Sequence, residues 1–429
     1  MRVLDSKSKE FEAELEILLA QRREEMEGVE GAVREIIEEV KGRGDEALLH
    51  YTQQFDGVEI SRQEMEVPQK DWERAWQEVE GEALISLQRA AGRIESFHRQ
   101  ELYRSWFDTD KGVVRGQLVH PLARAGVYVP GGKAAYPSSL LMSVIPAKVA
   151  GVREVVVVTP PSREGVNPYI LAAARMVGVN RVLLVGGAQA VAALAYGTET
   201  VPRADLIVGP GNLYVATAKR LLFGVVRVDM VAGPSEILVV CDGSTPPTFV
   251  AADLLSQAEH DEMAWPILIT PSKEFANQVH EEVERMKGAL PRQGIIEASL
   301  ERHGLIILVR DLGEGIQIAN RIAPEHLELA LEDPFRWLGE VHNAGAVFLG
   351  PYTPEAIGDY LGGPNHVLPT GGTARFFSPL GVEHFLKRTN LLFLSREALE
   401  AVKEDVARLA RLEGLEAHAQ AVVVRAKED

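Results

Sequence analysis

The sequence has almost no cysteine, no surplus of positive charge and no long apolar run, and each shortage excludes a class of protein. One cysteine among 429 residues, Cys241, cannot close an intrachain disulfide, and it rules out a sulfur-rich structural metal site. It lies in the apolar run Ile237-Leu238-Val239-Val240-Cys241, where a buried strand cysteine is the plain expectation. Lys and Arg number 45 against 62 Asp and Glu, a net charge of −17. No basic surplus is left to neutralise nucleic-acid phosphate or an anionic membrane. No stretch reaches the ~20 apolar residues of a membrane span. The start, Met1-Arg2-Val3-Leu4-Asp5-Ser6-Lys7, is charged and lacks the apolar core of a signal peptide. A cytoplasmic protein with neither a nucleic-acid nor a membrane partner is therefore expected. The sequence also lacks a fixed-period repeat, a low-complexity segment and a G-x-G-x-x-G fingerprint.

What is present reads as an α/β protein. With 46% hydrophobic and 25% charged residues the composition is globular, and the length suits two or more domains. Up to about Phe107 the pattern is helical, with Val33, Ile36, Ile37, Val40, Ala47 and Leu48 near helical spacing and a break at Gly42 and Gly44. From Ala125 onward apolar runs alternate with helical segments. Strands are expected at 155–160, 181–187, 206–209, 237–241, 266–270, 305–309 and 346–349. Helices are expected between them at 169–178, 212–223, 249–263, 274–287 and 314–322. This alternation predicts two doubly wound blocks with parallel sheets, divided near Gly233-Pro234. The chain returns to helix from Arg396 to Leu412.

Two groups of residues carry chemistry. Glycine-rich turns, Gly126 to Gly132, Gly186-Gly187-Ala188-Gln189 and Gly209-Pro210-Gly211-Asn212, follow expected strands. The last two precede helix N-termini, which favour phosphate, although tight strand-to-helix turning explains any one of them. The second group is polar. Gln257 and His260 lie three residues apart on one helical face, as two metal ligands could. Glu325 and His326 are adjacent, so they serve one pocket only from a loop or an element end. Asp359 and His366 bracket a Gly- and Pro-rich loop, and Glu413 and His418 follow the last helix. Amide, imidazole and carboxylate together match a zinc site of mixed N and O ligands. Composition and spacing reach a metal and a nucleotide-like ligand in a two-domain α/β protein, and stop there.

The ordered motifs resemble the histidinol dehydrogenase family. They include Gly44-Asp45-Glu46-Ala47-Leu48 with Phe55-Asp56, Gly126 to Gly132, Gly186 to Ala190, Gly209 to Asn212 and Ala232-Gly233-Pro234-Ser235-Glu236. Ser256 to Asp261, Ala323 to Leu327, Asn365 to Phe376 and Glu413 to His418 follow, so the likeness spans nearly the whole chain. The departures are a Gly363-Pro364 pair before Asn365-His366 and His120 in place of an arginine.

The resemblance implies oxidation of L-histidinol to L-histidine through L-histidinal, with two hydrides passed to NAD. It implies one zinc ion per subunit on Gln257, His260, Asp359 and His418, the last from the other subunit of a homodimer. Tyr128, Gln189 and Asn212 would contact NAD. Ser235, Gln257, His260, His326, Asp359, Glu413 and His418 would hold the substrate, and Glu325 and His326 would be the acid–base pair. The implied division is a helical arm at 1–26, a larger α/β domain at 27–127 and 235–380, a Rossmann-like NAD domain at 128–234, and a helical tail at 381–429 packed on the partner. Rival readings of the same residues are a zinc- and NAD-dependent oxidation of another small polar alcohol, a zinc hydrolase, and a binding protein that keeps the site as a relic.

Overall fold

The computed structural model describes residues 1–24, 28–131, 136–231 and 233–426, so Gly132 and Ala232 of the expected motifs lie outside the described residues. The chain divides into two compact units: 1–101 with 122–385, and 102–121 with the residues from 386 onward. The first unit contains two parallel sheets, as the strand–helix alternation predicts.

The larger sheet has six strands, in the order Arg2–Asp5, Leu305–Leu308, Trp265–Thr270, Glu236–Cys241, His326–Ala330 and Ala346–Leu349. The strands Glu236–Cys241 and Trp265–Thr270 are buried at every residue. Helices on both faces impose that, which is why their sequences read as near-continuous apolar runs. His326–Ala330 is equally buried, but His326 and Glu328 interrupt its apolar signal and hide it from periodicity. Its register pairs His326 with Ile237, which sets Glu325 beside Glu236 where both strands begin. The smaller sheet has the order Arg181–Leu184, Glu154–Thr159, Arg124–Tyr128, Leu206–Val208 and Arg227–Val228.

Packing corrects the expected grouping of 27–127 with the larger sheet. The helix Glu30–Arg43 buries Val33, Ile36, Ile37 and Val40, at i, i+3, i+4 and i+7. They share one core with Val156, Val158, Leu183 and Leu194 of the smaller-sheet block. At about 1.5–3 kcal/mol for each large side chain buried, that face decides where the segment docks. The buried Asp45 then accepts from the hydroxyls of Thr198 and Thr200, both at 2.6 Å, fixing the next helix, Asp45–Tyr51, to the same block. The first residues go to the other sheet: Leu4, Phe11, Leu15 and Leu18 pack with Leu238, Ile267 and Leu329. Nor is that arm wholly helical, because Arg2–Asp5 pairs with Leu305–Leu308 before the helix Phe11–Glu24 begins.

The second unit holds an antiparallel sheet, Leu386–Leu394 against Val113–Pro121 against Trp106–Asp110. The tail therefore opens with a nine-residue strand that local periodicity does not reveal, because its partner lies far back in the sequence. The expected helix Arg396–Leu412 follows, and a second, Glu416–Val423, packs on it through Ala407, Ala410 and Ala419. Leu392, Phe393, Leu409 and Leu412 stay exposed. No helix among the described residues is long and apolar enough to cross a membrane.

Candidate active site

The polar cluster of the first unit forms where strands of the larger sheet begin. The helix Pro247–Ala258 follows one strand and returns to this edge, so its last turn delivers Gln257, and His260 stands just past its end. The turn after the helix Leu312–Ile322 delivers Glu325 and His326. Ala323 in that turn has φ +50°, a left-handed conformation uncommon for a residue with a side chain. The carbonyl of Glu325 leaves no room behind it, since a Cβ on Gly345 would sit 2.5 Å away. Asp359 comes from the short helix Glu355–Tyr360.

Three histidines share one hydrogen-bonding pattern. Nδ1 of His260 lies 2.9 Å from the Ser256 carbonyl, Nδ1 of His326 lies 2.9 Å from that of Glu236, and Nδ1 of His366 lies 3.1 Å from that of Asp359. A carbonyl only accepts, so each Nδ1 carries the hydrogen and each Nε2 is left with its lone pair. His260 Nε2 is 4.0 Å from Asp359 Oδ2, and ligand atoms of His326, Glu355 and Asp359 all lie within 4.8 Å of one another. Gln257 is buried, and its Oε1 has no hydrogen-bond partner among the described residues. An orphaned amide oxygen, an imidazole lone pair and a carboxylate fit a zinc ion, which takes N and O ligands of this kind. The negative pole of a helix C-terminus favours a cation at the same place.

The electrostatics separate these groups. Burial raises Asp359, but the His366 hydrogen bond and the positive charge that His366, His326 and His260 carry when protonated outweigh it and hold the carboxyl at about 2. Burial and the neighbouring Asp359 push Glu355 up to about 8. Glu325 is raised well above the usual carboxylate range, first by burial and then by the charges of Glu236 and Asp359, against the pull of the Glu236 N–H. Burial lowers His326, with the Asp359 charge opposing. The imidazole of His326 is therefore neutral, and the carboxylate of Glu325 is a stronger base than an exposed one.

A second site lies where strands of the smaller sheet end. A cavity of about 380 Å3 there is lined by Asp56, Tyr128, Gly187, Gln189, Asn212 and Tyr214, among others, which brings Tyr128, Gln189 and Asn212 together. The Tyr128 hydroxyl accepts from the Gly187 N–H at 3.1 Å, which leaves its own hydrogen to donate. Asn212 caps the helix Leu213–Leu222, its Oδ1 accepting from Tyr214 and Val215 N–H groups. Gly209, at φ +108°, passes so close that a Cβ would lie 2.1 Å from the Tyr128 carbonyl. Among the described residues two buried oxygens here have no hydrogen-bond partner: Gln189 Oε1, and Oδ2 of Asp56 in the π-helical turn Thr52–Asp56. Helix N-termini, aromatic walls and orphaned acceptors fit a dinucleotide.

Not every expected residue joins these clusters. Ser235 is half-buried beside Glu236, and its carbonyl accepts from Trp265. Glu413 and His418 are exposed in the second unit, Glu413 ending the helix Arg396–Leu412 and His418 within Glu416–Val423. Four residues of the first unit were missed by the sequence reading. Glu355 was findable, four residues before Asp359 on one helical face. Asp56 was visible only as part of a motif. So was Glu236, whereas Arg22 reaches the site through a pairing with it that no local pattern encodes.

Comparison with known proteins identifies the family. The family model for histidinol dehydrogenase matches residues 19–426. The chain is 52% identical over 429 residues to a histidinol dehydrogenase of Syntrophotalea carbinolica, covering 100% of both chains. It is 51% identical over 427 residues to one of Aquifex aeolicus, covering 99% of each. A crystal structure of histidinol dehydrogenase from Elizabethkingia anophelis superimposes with a TM-score of 0.91 at 35% identity, covering 99% of this chain and 98% of that one. The chain belongs to the histidinol dehydrogenase family.

Proposed function

We propose that this chain oxidises L-histidinol to L-histidine through L-histidinal, with NAD accepting both hydrides. Gln257, His260 and Asp359, with His418 of the partner subunit, would hold one zinc ion per subunit. When bound, that ion supplies a Lewis acid for the amine and ring nitrogen of the substrate, and the dinucleotide supplies the hydride acceptor. Tyr128, Gln189 and Asn212 would bind the dinucleotide. Ser235, Asp359 and Glu413 would orient the amino alcohol, with Glu413 accepting from the imidazole N–H.

The acid–base steps follow from the two buried groups. His326 Nε2 takes the hydroxyl proton as hydride leaves the carbinol carbon, giving the aldehyde. Water then adds to the aldehyde carbon; Glu325 takes a proton from it while the protonated His326 gives its proton to the aldehyde oxygen, which forms the hydrate and restores the neutral imidazole. A second hydride leaves the hydrate carbon while His326 takes the hydroxyl proton, giving the acid. A neutral imidazole and a carboxylate of raised pKa suit these transfers near neutral pH.

The observation that carries the reading is the set of Nε2 lone pairs left by Nδ1–carbonyl bonds, together with a buried Gln257 oxygen, three residues from His260, that has no hydrogen-bond partner among the described residues. The proposal of a homodimer with a shared site is supported by exposed Leu409 and Leu412 on the helix leading to exposed Glu413 and His418. The test is the yield of NADH from limiting L-histidinol with excess NAD. Two NADH per substrate are expected, and none would refute the assignment.

A further inference from the structure

Arg22, on the helix Phe11–Glu24, is only 4% exposed and reaches the acid–base edge. Its Nε donates to Glu236 Oε1 at 3.0 Å, and its Nη2 lies 2.5 Å from Oε2 in an ion-pair contact outside hydrogen-bond alignment. Its Nη1 donates to the Ile322 carbonyl at 2.9 Å, and the guanidinium lies 6.0 Å from the centre of a Trp265 ring. Arg22 thus grips both Glu236 and the end of the helix that turns through Ala323 into Glu325.

Glu236 passes this grip on. It is 2% exposed, and its N–H donates to Glu325 Oε2 at 2.8 Å. Its own Oε2 accepts from the Glu325 N–H at 3.2 Å, its carbonyl accepts from His326 Nδ1 at 2.9 Å, and its Oε1 accepts from the Gly371 N–H at 3.0 Å. One residue therefore fixes the carboxylate of Glu325, its backbone and the tautomer of His326. A buried ionised carboxylate needs a partner charge to hold such a geometry, and Arg22 supplies one.

We propose that Arg22 is a positioning residue of the active site, which through Glu236 and the Ile322 carbonyl aims the Glu325 carboxylate at the water that hydrates the aldehyde. This rests on the hydration role proposed for Glu325. The nearest rival is a staple that stabilises the fold and has no bearing on the reaction.

A double-mutant cycle on the zinc-loaded enzyme separates the two, with L-histidinal and NAD as substrates. Arg22→Gln is expected to lower kcat about 10- to 100-fold with KM little changed, because a misaimed base weakens the reacting step and leaves binding intact. In a Glu325→Gln background the same substitution is expected to change kcat less than about twofold, since the residue it acts through is gone. Equal losses in both backgrounds would overturn the proposal. If Arg22→Gln does not fold, Arg22→Lys runs the same cycle, with a smaller loss expected in the wild-type background and none in the other. Should Glu325→Gln alone leave kcat unchanged, the hydration role fails, and that result is distinct from additive losses.

Discussion

The smaller sheet presents the cavity at its carboxyl edge, where Tyr128, Gly187 and Asn212 follow strand ends and helices begin, whereas the larger sheet gathers His260, Glu325 and His326 at its amino edge, where a helix ends and strands begin. The two edges of a parallel α/β sheet are not equivalent. The carboxyl edge offers unsatisfied N–H groups and the positive poles of helices, which suit an anionic dinucleotide. The amino edge offers carbonyls, which take the Nδ1 hydrogens of His260 and His326 and leave Nε2 free for a cation or a proton. Under the proposed function, one topology thereby supplies a cofactor edge and a chemical edge.

The sharpest way to break this division is at the chemical edge. His260→Ala and Asp359→Ala are each expected to lose zinc with the fold retained and to lower turnover at least about 1,000-fold. Metal analysis beside circular dichroism checks it, and retained zinc would detach these residues from the metal. Next in size is a test of the second unit. Mixing inactive Glu325→Gln and His418→Ala subunits is expected to restore up to about a quarter of wild-type activity, since in a mixed two-fold dimer one of two shared sites is intact. No recovery after exchange of subunits would place the site within one chain.

The cofactor edge is expected to answer differently. Gln189→Ala removes a buried side chain whose oxygen has no hydrogen-bond partner among the described residues, so the Kd for NAD should rise about tenfold with zinc content unchanged. Calorimetric titration measures this, and lost zinc would show that the edges are not separate. The smallest effect concerns Asp56, which burial raises to about 6 from an ordinary 3.8. A carboxyl raised in the folded state stabilises the fold below its unfolded pKa, and that stability is lost as pH rises through the folded value. Above pH ~6, Asp56→Asn without cofactor is thus expected to be more stable than wild type by about 1 kcal/mol, after discounting for partial exposure. The gain should vanish near pH ~4. Urea unfolding at the two pH values checks the sign.

The same contrast explains what the sequence disclosed. The cofactor edge was largely legible, because its turns sit directly after apolar strands and glycine marks each one. The chemical edge was legible in part. Gln257 and His260 share a helix, but the strand from His326 to Ala330 is masked by its own buried His326 and Glu328. Arg22 and Glu236 meet across 214 positions, and nothing local to either foretells that. For a related reason the expected division groups the helices 30–51 with 235–380, although they pack with the smaller-sheet core. Periodicity shows which face is apolar, and only packing shows which partner it covers.

The central claim is that the two edges do separate work, and His326→Asn tests it most directly. Turnover, zinc content and the Kd for NAD would be measured on one preparation. A loss of about 100- to 10,000-fold in kcat, with zinc and NAD binding as in wild type, is the expected result for a base lost from the chemical edge. Loss of zinc would make His326 a ligand, and unchanged turnover would remove it from the chemistry, so either outcome contradicts the account.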